Sequence, residues 1–294
     1  LAFNSASNTL YVVDRGNSRV LAFDVATIIN GEGAVSVLGQ TNFINQGINQ
    51  LGDPSSSTLD LPSAGIFYNT STKSLYVADT ENNRVLIYDV NTIINGEGAT
   101  AVLGQLDVNG NQTFFQSMPN SGFVSDYGFS DPSNIVLDSS NHRLFVADST
   151  NNRVLIFNLN SSNELTDFHA DYVLGQDDLV SGLANKNGTV GTSTLSYPSA
   201  MAYDSTNNML YVADGENLRV LAFDVATVSN GENATAILGQ PNFTTSSLLA
   251  AASSTINLNG IGLAYNSASS TLYVSDSYNR VLVFDVATII NGEG

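Results

Sequence analysis

The stretch Leu10-Tyr-Val-Val-Asp14-Arg-Gly-Asn-Ser-Arg19-Val-Leu-Ala-Phe-Asp24 decides how this chain is read. Two short runs of Leu, Val, Tyr and Phe flank a polar turn, which is the pattern of paired strands and not of a helix. The block returns at 75–89, 144–158, 210–224 and 272–285. Measured on Asp14, Asp79, Asp148, Asp214 and Asp276, the spacings are 65, 69, 66 and 62 residues, so five copies fill the 294 residues. A fixed period of this length marks an array of repeated supersecondary units.

Each copy holds four short apolar runs, in the second copy at 64–69, 75–79, 84–89 and 100–105. The turns between them are rich in Asn, Ser, Asp and Gly, which accept left-handed or side-chain-capped backbone. Four antiparallel strands repeated radially predict an all-β fold, a β-propeller of five blades. The repeats run approximately 1–61, 62–131, 132–197, 198–258 and 259–294 within a single propeller domain. A helix-like turn is expected at 24–33, 89–98 and 285–294, where Asp precedes and Gly follows a short run. Four copies carry Leu-Gly-Gln in the fourth strand, at 38–40, 103–105, 174–176 and 238–240, and the fifth does not. The last blade is therefore expected to lack its outer strand, leaving an edge open to pairing. A start at Leu1 suits an excised piece, and part of a six-bladed or longer array is the alternative.

The core Val-Ala-Asp-x-x-Asn-x-Arg-Val-Leu-x-Phe at 77–88 and 146–157, with Tyr at position 88, resembles the NHL-repeat propellers. So does the Pro-Ser that precedes the first strand at 62–63, 132–133 and 198–199. The resemblance implies the propeller fold, but such propellers serve as RNA-binding modules, lyases, lactonase relatives and protein-interaction platforms. The repeats here are about 20 residues longer than a minimal blade needs. The excess falls in four links, 41–61, 106–131, 177–197 and 241–258, which strand alternation places on one face, called the top. Links of this length are usually functional or disordered.

Composition removes several functions. Nine Lys+Arg against 27 Asp+Glu give a formal charge of −18, which opposes binding to nucleic-acid phosphates. No stretch is long and apolar enough to cross a membrane, so membrane insertion is not expected. Without Cys there is no disulfide, thiol nucleophile or thiolate metal site. The two histidines, His142 in a turn and His169 in an irregular connection, have no nucleophile at a suggestive spacing and read as solvated side chains.

Five of the seven Arg residues stand four or five after the repeated Asp: Asp14/Arg19, Asp79/Arg84, Asp148/Arg153, Asp214/Arg219 and Asp276/Arg280. A catalytic group is seldom needed five times, so these read as structural ion pairs. No residue is assigned a catalytic role. Candidate metal ligands are Asp107, Asn109 and Asn111, at the alternate oxygens a hard cation prefers, although the Gly and Glu that would complete a calcium loop are replaced by Gln112 and Met118. A second set is Asn4, Asn69, Asp138, Asp204 and Asn266, one at each first-strand end. Asn-x-Ser/Thr occurs at Asn69, Asn111, Asn160, Asn187, Asn233 and Asn242, but in a chain with 35 Asn chance predicts about seven such triplets. Phe114, Phe115, Phe123, Tyr127 and Phe129 read as a lid over a blade.

These readings favour a non-enzymatic interaction or structural module, extracellular or on the cell surface, needing no cofactor. Its partner is another protein or a further copy, joined head to tail into a filament through the open blade. The alternative is a calcium-dependent lactonase- or lyase-like enzyme with the metal at the channel mouth.

Overall fold

The structure, a computed structural model, describes residues 1–257 and 262–289. It is an all-β propeller of five blades. Blade 1 contains β1 (Ala2–Asn4), β2 (Thr9–Asp14), β3 (Arg19–Asp24) and β4 (Ser36–Leu38). Blade 2 contains β5 (Ile66–Asn69), β6 (Ser74–Asp79), β7 (Arg84–Asp89) and β8 (Ala101–Leu103). Blade 3 contains β9 (Pro132–Asp138), β10 (Arg143–Asp148), β11 (Arg153–Asn158) and β12 (Tyr172–Leu174). Blade 4 contains β13 (Pro198–Asp204), β14 (Met209–Asp214), β15 (Arg219–Asp224) and β16 (Ala236–Leu238). Blade 5 has three strands among the described residues, β17 (Leu263–Asn266), β18 (Thr271–Asp276) and β19 (Arg280–Asp285). Strands neighbour one another in chain order in every sheet.

Register explains the spacing of the repeated Asp and Arg. In the central hairpin the two residues are directly opposite: Asp14 faces Arg19, Asp79 faces Arg84, and the other three pairs do the same. They close a turn whose last residue is left-handed, at Ser18, Asn83, Asn152, Leu218 and Asn279. A polar residue bears that conformation at small cost, which suits four of the five. Alternate side chains along each hairpin then point to opposite faces of the sheet, and both faces are apolar, as suits a sheet packed between other layers.

The helix-like segments are not helical. No α-helix occurs among the described residues, only short 3-10 turns. At 24–33 the Asp24 carboxylate accepts the Ala26 N–H at 2.9 Å, and Glu32 accepts the Ile29 N–H. Asp89 and Glu97 repeat this at 89–98. An Asp that caps the N–H two residues on makes a turn of its own and competes with the helix. The third copy keeps the Asp285 cap on Ala287, and its residues 290–294 lie outside the described residues, as does Leu258 at the end of the fourth link.

The chain forms two compact units, Leu1–Ile135 with Leu159–His169, and Val136–Asn158 with Ala170–Gly294. In the first, Tyr11, Val20 and Ala22 of blade 1 pack on Leu75, Val77, Leu86 and Tyr88 of blade 2. In the second, blade 3 packs on blade 4 through Phe145, Val154 and Ile156, and blade 4 on blade 5 through Tyr211, Val220 and Ala222.

Candidate interaction surface

The links between blades are held by side chains that the repeat supplies. In the first unit the buried Asp79 carboxylate accepts the Asp60 N–H at 2.7 Å, the Asn82 amide at 2.8 Å and Arg84 Nε at 2.7 Å. The rest of the Arg84 guanidinium donates to the Phe114 carbonyl in the second link and to Ser55 and Thr58 in the first. One guanidinium thus ties two successive links to one hairpin, and an Arg fork is suited to this because its donors are rigid. In the second unit Asp214 and Arg219 repeat the arrangement, reaching Phe243, Gly191 and Thr194. Burial pushes the Asp79 and Asp214 carboxyls up, and the adjacent guanidinium pulls against it. Asp14–Arg19 and Asp148–Arg153 close at 2.8 and 2.7 Å, and Asp276–Arg280 at 3.0 Å.

The Leu-Gly-Gln motif has a second holding role that spacing did not disclose. The buried amide of each Gln donates to two carbonyls, one in the central turn and one in the outgoing link: Gln40 to Ser18 and Gly47, Gln105 to Asn83 and Met118, Gln176 to Asn152 and Leu183, Gln240 to Leu218 and Ser247. The preceding Gly is left-handed, and a Cβ there would meet a side chain of the same link. At Gly239, with φ +90°, that atom would stand 2.8 Å from Ile256; at Gly175 it would stand 2.7 Å from Leu195. Asp138 and Arg143 form a further buried pair at 2.7 Å, also five residues apart, which the repeated pattern had hidden.

Three links contain consecutive left-handed residues other than Gly: Asn49, Gln50 and Leu51 in the first, Asn120 and Ser121 in the second, and Asn185, Lys186 and Asn187 in the third. Reciprocal amide bonds fix two of these turns, Asn49 with Asn82 and Asn185 with Asn217. Such backbone costs on the order of 1 kcal/mol per residue and persists only where the surroundings hold it. The links nevertheless leave apolar side chains in solvent. Ile44 and Leu51 are 89% and 87% exposed, Phe115 is 76% exposed, and Met118, Phe123, Val180, Leu183 and Leu248 are exposed too. Of the five aromatics read as a lid, Phe129 is fully buried, and it lies against Gly104.

The second link is not confined to one end of the blades. Its Asp126 meets His169 Nδ1 at 3.0 Å and its Tyr127 packs edge-on against the same ring, although the β11–β12 connection that carries His169 starts from the opposite end of the sheet. His142 occupies the left-handed position of the β9–β10 turn.

The first-strand carboxylates and amides serve their own turns. Asn4 accepts the Ala6 N–H, Asn69 the Ser71 N–H and Asn266 the Ala268 N–H. Asp138 accepts from Ser140, Asn141 and Arg143, and Asp204 from Thr206 and Asn207. Burial alone would raise Asp138 and Asp204, but these hydrogen bonds outweigh it and hold both carboxyls below the usual range. Asp107 likewise caps the Asn109 and Asn111 N–H groups of a small excursion closed by Leu106 and Gln112, and the Asn111 and Asn109 bonds lower its pKa. Among the described residues no three Asp, Glu or His side chains gather in a way that would hold a metal ion. Of the six sequons, Asn69 is fully buried and donates to the Asn163 carbonyl, whereas Asn111, Asn187, Asn233 and Asn242 are exposed and Asn160 is half-buried.

Among the described residues no helix is long and apolar enough to cross a membrane. A search of curated proteins finds no match. The NHL repeat matches residues 129–157, the span from Phe129 through the Asp148–Arg153 hairpin of blade 3. That match to one repeat, with the same hairpin geometry in all five sheets, supports an NHL-type β-propeller, a fold that supports a protein-interaction module.

Proposed function

We propose that this propeller is a non-enzymatic interaction module of the cell exterior or surface, and that its partners include further copies of itself, joined head to tail. The observation that carries the reading is the state of the links, which are pinned at both ends yet keep large apolar side chains in solvent. A surface of that kind meets a partner with little loss of conformational freedom, and contiguous exposed apolar residues mark contact sites. The outer edge of β19 supports the self-association. In blades 1, 2 and 4 the carbonyls of Ala22, Ile87 and Ala222 accept the N–H of Val35, Thr100 and Thr235, the residue before the fourth strand. Val283 holds the same place in blade 5, whose sheet has no fourth strand among the described residues. An edge of this kind accepts a strand from elsewhere, and a heterologous contact that does not close grows into a filament. The acidic, Lys-poor, Asn-rich composition suits an exterior setting.

Light scattering over a wide concentration range, with electron microscopy of the same samples, tests the reading. Ordered oligomers or filaments are expected, and a monomer at every concentration overturns self-association.

A further inference from the structure

Blades 1 and 2 leave a cleft between them, at the end of the sheets away from the Asp–Arg pairs. Its volume is about 310 Å³, and Tyr11, Ser36, Tyr68, Lys73, Asn91 and Ile93 line it together with Asn4. The two tyrosine rings stand 6.1 Å apart, tilted by 31°. Sites for small molecules start at about 300 Å³, so the cleft has room for a single sugar-sized ring. Charge sets it apart from the rest of the molecule. Among the described residues every Lys and Arg except Lys73 closes an ion pair with a carboxylate. Lys73 lines the cleft, and among the described residues no Asp or Glu does so. A second cleft of the same unit, about 410 Å³ in volume, is lined by both Asp89 and Glu164. Asp89 is engaged in its own turn, where it accepts the Asn91 N–H at 3.0 Å and the Asn91 amide at 2.7 Å.

Two junctions of the other unit are built differently at the same place. Where blade 3 meets blade 4 the Tyr203 hydroxyl hydrogen-bonds Asp138, and where blade 4 meets blade 5 the Tyr265 hydroxyl hydrogen-bonds Asp204. The left-handed residue before the second strand of the later blade is Asn208 in one and Ser270 in the other. Between blades 1 and 2, Asn4 stands in place of the Asp, and the left-handed residue is Lys73, with φ +56°. The Asn4 side chain accepts the Ala6 N–H and hydrogen-bonds the Tyr11 hydroxyl, so it brings no charge. One negative group is lost and one positive group gained, in a chain where acids outnumber bases threefold.

We propose that this cleft binds a small sugar acid, its carboxylate paired with Lys73, its ring against Tyr11 and Tyr68, and its hydroxyls among Ser36, Asn91 and Asn4. Lys73 supplies a point charge with three donors, which a carboxylate accepts. The hydroxyl and amide groups of the lining can both donate to and accept from sugar hydroxyls, while aromatic rings receive the apolar face of a sugar ring. The net charge of −18 favours a single carboxylate over a phosphate, which would bring nearly two negative charges toward the same surface.

The test is a calorimetric titration of the full chain with glucuronate, and with glucose as the neutral sugar of the same ring. Glucuronate should bind at least about tenfold more tightly than glucose. Lys73→Asn removes the charge and keeps the turn, since Asn8 and Asn208 hold the same left-handed place in their blades. It should weaken glucuronate binding by about tenfold to a hundredfold and leave glucose binding unchanged. Asn4→Asp restores the carboxylate of the other junctions and should cause a loss of the same size, and circular dichroism with thermal unfolding verifies that both variants fold. Glucose bound as tightly as glucuronate overturns the proposal, as does a Lys73→Asn variant that binds glucuronate like the parent chain. Absence of any glucuronate binding up to about 10 mM overturns it as well.

Discussion

Blades 4 and 5 are built from nearly the same residues and end in different environments. Met209–Asp214 with Arg219–Asp224 and Thr271–Asp276 with Arg280–Asp285 form the same hairpin with the same Asp opposite the same Arg. In blade 4 both side chains of the ion pair are wholly buried and the guanidinium reaches three link carbonyls. In blade 5 the Arg280 side chain is 27% exposed and among the described residues reaches one link carbonyl, that of Thr255. The hairpin is therefore a property of the repeat, and the strength of its hold on the links is a property of the neighbours.

The contrast is sharpest at the ion pair itself. Asp214→Ala in blade 4 leaves the Arg219 charge buried without its partner and should cost about 3–5 kcal/mol, against about 1 kcal/mol for Asp276→Ala beside the part-exposed Arg280. Urea denaturation of the two variants decides it; equal losses would mean that blade 5 is as enclosed in solution as blade 4.

A gentler probe reads the faces. Val220→Ala removes buried methyl groups and should cost about 2 kcal/mol, while Val281→Ala should change stability by less than about 0.5 kcal/mol in dilute solution. If the cost of Val281→Ala rises with protein concentration, the face of blade 5 that carries Val281 is being covered by another molecule. Melting temperatures at low and high concentration carry the comparison.

The smallest effect is the dependence on pH. Asp204 of blade 4 is held below its usual range by turn hydrogen bonds, and Asn266 takes its place in blade 5. A depressed carboxyl stabilises the fold above its unfolded pKa of about 3.9, and that contribution disappears as pH falls through the lower folded value. Asp204→Asn should remove part of the acid-side loss below pH of about 4, with the slope near neutrality unchanged. On the alkaline side burial pushes Tyr11 up to about 12, so stability present below pH 10 should decline between 10 and 12 as the unfolded phenol ionises first. Unfolding followed across both ranges gives the two signs separately.

Several site residues were legible only in part. The Asp–Arg pairs could be read because both members lie within one hairpin. The Gln amides could not, since Gln40 acts on Gly47 and Gln240 on Ser247, inside links whose path no local pattern defines. Asp107, Asn109 and Asn111 had the spacing of cation ligands because an Asp that caps a tight turn needs the same alternation of oxygens and N–H groups. The helical reading of 24–33 failed for the same reason, with Asp24 closing a turn of two residues.

The sequence by itself determined the period, the four-stranded blade, the register that sets Asp against Arg, and the two-sided apolar pattern. All of these depend on residues close in the chain, whose alternation and turn chemistry leave few choices. Only the tertiary structure decided which copies bury their faces, where the links run, and which Asn and Asp side chains are already taken by backbone. Burial belongs to pairs of residues far apart along the chain, so Val220 and Val281, the same residue at the same step of the same repeat, end on opposite sides of the boundary between core and surface.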